Sequence, residues 1–101
     1  MEPAWEELAN VLREARLLLA LPNNDFGWSP WPDAAPALAE VDGLIATLES
    51  GQLPPQMTIW VLFAPTGPIQ DVSESSRWGS EFLALARRCD AAVQAVYNSP
   101  R

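Results

Sequence analysis

The sequence predicts an α+β fold, a three-helix arrangement with a small two-stranded antiparallel hairpin between the second and third helices. Three observations predict it. Three stretches repeat apolar residues at the three-and-four spacing of an amphipathic helix. The run Ile59-Trp60-Val61-Leu62-Phe63 is short, wholly apolar and rich in β-forming residues. Directly after it, Ala64-Pro65-Thr66-Gly67-Pro68 reads as a stiff reversal of the chain.

The first helix is expected over 3–20. Pro3 suits a first turn, and Glu6 and Glu7 stand near its positive end. Trp5, Leu8, Leu12, Ala15 and Leu19 form its stripe, which Val11 and Leu18 widen. Pro22 closes it and opens an irregular segment, 22–33, that holds Phe26, Trp28 and Trp31. A loop this aromatic is either a lid pinned over the core or an exposed binding surface. A small protein short of buried area favours the lid. Asp25-Phe26-Gly27 matches the protein-kinase metal motif in letters only, because that motif needs a far larger catalytic domain.

Asp33 can cap a second helix, placed over 35–50, with Pro36 in its first turn and Gly51 as its stop. Leu38, Val41, Leu44, Ile45 and Leu48 supply the buried face. The hairpin follows over 57–73, with 59–63 as its inner strand and a weaker strand after Pro68. In that weaker strand Ile69, Asp71 and Ser73 would share one face. A two-stranded hairpin is marginal alone, so it must lean on the helices. The third helix is expected over 76–97, with Trp78, Phe82, Leu85, Cys89, Val93 and Val96 along its stripe.

One hundred and one residues allow one domain. With 13 acidic residues against 6 basic ones, the formal net charge is −7. Such a surface repels phosphate backbones and anionic lipid, so neither nucleic acid nor membrane is the expected partner. A basic protein surface would be attracted, although solubility alone also explains this charge. Cys89 is the only cysteine and sits in an apolar stripe, which points to a buried thiol. The first residues lack the pattern of a secretory signal, and no apolar run is long enough for a membrane span, so a cytoplasmic location is expected.

No catalytic constellation stands out. There is no histidine, so the usual transition-metal sites and the Ser-His-Asp and Cys-His arrangements lack their residues. Oxygen-only chemistry would have to gather Asp25, Asp33, Asp71 and Glu74. Capping or solvation explains each of these separately. No Gly-rich phosphate loop is present, and no cofactor or metal is expected. What remains is protein recognition, for which the candidate residues are Phe26, Trp28, Trp31, Asp33, Thr66, Asp71, Glu74, Arg77 and Trp78. Tryptophan anchors within an acidic surface are a combination suited to blocking basic enzymes. A homodimeric structural or regulatory adaptor and a small carboxylate-based hydrolase are the alternatives.

The runs LFAPTGPIQDVSESSRWGSEFLALARRCD and NDFGWSPWPDA resemble a group of small acidic bacterial proteins of unknown function, over nearly the whole chain. The FAPTGPIQ turn is its most specific part. The resemblance supplies no catalytic residue. It implies a stand-alone bacterial cytoplasmic domain, similar in size and charge to immunity or antitoxin-type proteins.

Overall fold

A computed structural model describes residues 3–98, and among them the architecture is five helices with no β-strand. α1 spans Pro3–Leu19 and buries Leu8, Ala9, Val11, Leu12, Ala15 and Leu19. That stripe is broad because α1 is packed on both sides, by α2 and by the last helix. α2 spans Ala34–Glu49. The Asp33 carboxylate accepts the Ala35 N–H at 3.0 Å, satisfying an amide that the first turn leaves free. α2 ends at Gly51, whose φ of 86° allows its own N–H to reach the Leu48 carbonyl and that of Gln52 to reach Thr47.

The expected hairpin is corrected here. Residues 57–73 fall in two short helices, α3 (Gln56–Phe63) and α4 (Pro68–Ser75), joined by the Ala64–Gly67 turn. In α3 the buried residues are Ile59, Leu62 and Phe63, a three-and-one spacing that a strand cannot place on one face. In α4 they are Ile69, Val72 and Ser73, again a helical set. The prolines taken as strand punctuation belong to helix starts. Pro55 precedes the first turn of α3 and Pro68 opens α4. Pro65 stops α3 by holding Ala64 in the extended region (ψ 152°). Tertiary packing of one face outweighs the β preference of Ile59 and Val61.

The expected third helix is found as one helix that starts later, at Gly79 instead of 76. Ser75 and Ser76 close α4 instead of opening the next helix. Arg77 takes a left-handed turn (φ 69°), and the Trp78 N–H reaches back to the Ser73 carbonyl at 2.9 Å. α5 then runs from Gly79 to Tyr97.

Side-chain pairings set the directions. Arg13 meets Glu49 and Arg16 meets Asp42, so α1 and α2 are antiparallel. Trp78, at the start of α5, meets Asn24 just beyond α1, while Arg88 meets Glu7 and Glu14, so α5 also opposes α1. Phe63 stacks on Phe82 at 6.4 Å and the Tyr97 hydroxyl donates to the Pro54 carbonyl, which lays α3 antiparallel along α5. α4 packs against α3 and α5. α2 and α3, by contrast, do not pack closely on each other. One core joins all five helices, and Trp31 and Trp78 belong to it.

Candidate protein-recognition surface

α3 is apolar on every side, QMTIWVLF, yet only one side faces the core. With Ile59, Leu62 and Phe63 turned inward, Met57, Trp60 and Val61 turn outward. Their exposures are 62%, 50% and 55%. These three stand at i, i+3 and i+4 and form a second apolar stripe back to back with the first. A helix apolar all round is normally enclosed, and this one is not. The result is a solvent-facing ridge.

A groove lies on each side of the ridge. Between α3 and α5, a groove of about 390 Å³ is lined by Trp60, Phe63, Leu83, Ala86, Cys89 and Asp90. Between α2 and α3, a wider groove of about 640 Å³ is lined by Glu40, Met57, Val61 and Leu62, with Pro30 and Trp31 at its end. Leu83, on α5, is also exposed. The Cys89 thiol at the floor of the first groove is pushed up to about 12, chiefly by burial and then by the charge of Asp90. It is therefore a neutral, unreactive group near pH 7.

Charge is unevenly placed around the ridge. Between Arg16 and Arg77 the sequence holds seven acidic residues and no basic one. The arginines that form ion pairs tie α1 to its neighbours: Arg13 to Glu49, Arg16 to Asp42, and Arg88 to both Glu7 and Glu14. Arg88 donates to both oxygens of Glu7, and this holds the Glu7 carboxyl below its ordinary range. Among the described residues, Asp25, Asp33, Glu40, Asp71 and Glu74 have no cationic partner. These five lie on the loop, α2 and α4, the elements that flank α3, while Glu6, Glu81 and Asp90 on α1 and α5 also lack an ion pair among the described residues.

The residues singled out from the sequence are dispersed. Trp31 and Trp78 are core residues, and the Trp78 indole donates to the Asn24 side chain at 2.9 Å. Trp78 therefore leaves the candidate surface, while Trp31 keeps only the edge that lines one end of the wider groove. Phe26 is half-buried against the core and Trp28 is 80% exposed. The aromatic loop is therefore both things at once, with Trp31 as its pin and Trp28 free. Its shape comes from Asp25, whose carboxylate accepts the Gly27 N–H, and from Ser29, which bonds the Phe26 and Trp31 carbonyls. Asp33 caps α2, Thr66 is exposed in the turn, and Asp71 sits in the first turn of α4. Glu74 accepts a bond from Gln70, and Arg77 is exposed at its left-handed position. Among the described residues, no three acidic or thiol groups gather at metal-ligating distance. No described helix is long and apolar enough to cross a membrane.

Met57, Trp60, Val61 and Leu83 were not singled out from the sequence. Their signal was present, because an octapeptide with six apolar residues, wound as a helix in so small a chain, leaves part of its apolar surface uncovered. Reading 59–63 as a strand hid it.

Comparison with protein-family models, with curated proteins and with solved structures finds no match in any of the three.

Proposed function

We propose that this protein is a non-enzymatic binding domain, acting in the cytoplasm, whose partner is a protein with basic residues around an apolar anchor. The observation that carries the reading is the α3 ridge, Met57, Trp60 and Val61, standing in a stretch of chain without a single cation. Apolar side chains held on a helix lose little freedom on docking, so their burial is returned as affinity. The surrounding carboxylates raise the encounter rate with a basic surface and disfavour acidic competitors. An inhibitor of the immunity or antitoxin type fits this combination, and it is also the class that the resemblance of the FAPTGPIQ turn suggests.

The same ridge favours one second reading, a homodimeric adaptor paired through α3. Two chains of charge −7 repel one another, which sets this reading behind the first. Co-purification from the native host separates the two. Wild type should retain a basic protein, Trp60→Glu with Val61→Glu should lose it, and Leu17→Glu, on the exposed side of α1, should keep it. Retention of the same proteins by all three would contradict the reading. A mass in solution near twice 11.1 kDa, abolished by the α3 pair alone, would favour the adaptor.

A further inference from the structure

The wider groove restricts the shape of what can fill it. α3 packs on α4 and α5, and α2 packs on α1, but α2 and α3 splay apart and leave the seam between them open. Among the described residues there is no strand, so a partner cannot attach by extending a sheet. Two helix walls offer side chains only, with their backbone hydrogen bonds already used. A helix entering such a seam satisfies its own backbone and presents a continuous side-chain stripe, which makes it the element best suited to these walls. Helices seat in such seams at axis separations of about 8–10 Å, ridge into groove.

The seam's chemistry fixes the face of that helix. Met57, Val61 and Leu62 make its wall on α3, and Trp31 floors one end. Methionine adapts to partners of varied shape, which suits a docking wall. The rim is acidic. Glu40 lines the seam directly, Asp33 stands two residues beyond Trp31, and Asp71 lies in the same helical turn as Pro68, which also lines it. None of the three has a cationic partner among the described residues. We infer that the α2–α3 seam is the docking site for a basic amphipathic helix of the partner protein. The helix places an apolar stripe between Glu40 and Val61, with arginine or lysine side chains reaching the rim on either side. α3, which supplies most of the seam's wall, is 8 residues and so about 12 Å long, and about two turns of a partner helix lie against it. This inference rests on reading the chain as a protein-binding domain.

The test uses two synthetic 14-residue peptides of identical leucine, alanine, lysine and arginine content. One carries its leucines at helical spacing, and the other is scrambled to remove the period. Each is titrated into the isotope-labelled full chain at low ionic strength and followed by amide shifts. The helical peptide should move the amides around Glu40, Met57 and Val61, and should bind at least about tenfold tighter than the scrambled one. Val61→Glu and Glu40→Arg, both at exposed positions, should each weaken it by about tenfold or more while leaving the circular dichroism unchanged. Equal binding of the two peptides at the seam would overturn the helical occupant and leave the basic-partner reading standing. Shifts centred on Trp60 and Leu83 would overturn the seam in favour of the other groove. Seam shifts that grow with protein concentration alone would identify a second copy as the occupant and overturn the inference. Failure of both peptides to move any amide would overturn the inference and the reading beneath it.

Discussion

At Gly67 a single missing side chain lets two helices meet. A Cβ built there would stand 2.3 Å from the Val61 carbonyl oxygen and 3.1 Å from that of Ala64, both backbone atoms that cannot swing aside. Pro65 and Pro68 stiffen the chain on either side, so the turn has little room to adjust. Gly67→Ala should destabilise the protein by about 2–3 kcal/mol, read as a lowered midpoint in urea. Arg77 is the opposite case. At φ 69° it carries a side chain where the backbone resists one, with no ion pair among the described residues to offset this. Arg77→Gly should stabilise by about 1 kcal/mol, which raises the melting temperature by about 4–8 °C in a domain of this size. Cys89 supplies a third test. Its raised pKa, near 12, follows from burial, so the native thiol should resist a disulfide reagent at pH 8 and react only as the chain opens. The unfolded thiol ionises near pH 8.5, so the folded state binds more protons above that pH. Stability should accordingly fall as pH rises through the interval up to 12.

Among the elements, α1, α2 and the body of α5 are legible in the sequence because each sets an apolar stripe against a polar back. α3 lacks that contrast. Its run is apolar on both sides, so period carries no information, and short length with flanking prolines argued for a strand. α4 is hidden differently, since two buried apolar residues, Ile69 and Val72, among serines make too short a stripe to register. The candidate site was lost with α3: of the aromatics chosen from sequence, Trp28 alone is largely exposed, while Trp60 was placed in the inner strand. Substitution distinguishes the two conformations. A strand puts Ile59 and Val61 on one face, whereas α3 buries Ile59 completely and leaves Val61 55% exposed. Ile59→Asp should lose several kcal/mol, about 3 or more, and Val61→Asp should stay within about 0.5 kcal/mol of wild type by chemical denaturation.

For the whole molecule, the ion pairs among the described residues all run along α1. α1 is fastened to α2 and α5 by arginines, while α3 and α4 are held by apolar contacts and carry no arginine at all. The exposed pairs add modest stability, each about 0–1 kcal/mol. Their placement leaves the stretch of chain between Arg16 and Arg77, which carries the ridge, without a cation. Glu7 gives the pairing a pH signature. Its folded pKa lies below the unfolded value, because Arg88 donates two hydrogen bonds to it. Its contribution is therefore complete above the unfolded pKa, near 4.3, and is lost as pH falls through the lower folded value. Glu7→Gln should slightly flatten the decline in melting temperature as pH falls below about 4.3, with little change once the carboxyl is protonated in both states.

The central claim is that 56–63 is a helix with Met57, Trp60 and Val61 facing solvent. Nuclear magnetic resonance of the full chain tests it most directly. Helical Cα shifts through 56–63 and 68–75, with no contacts between 59–63 and 69–73 of the cross-strand kind, are the predicted result. Extended shifts over 59–63 together with cross-strand contacts to 69–73 would contradict it, and with it the ridge on which the proposed recognition depends.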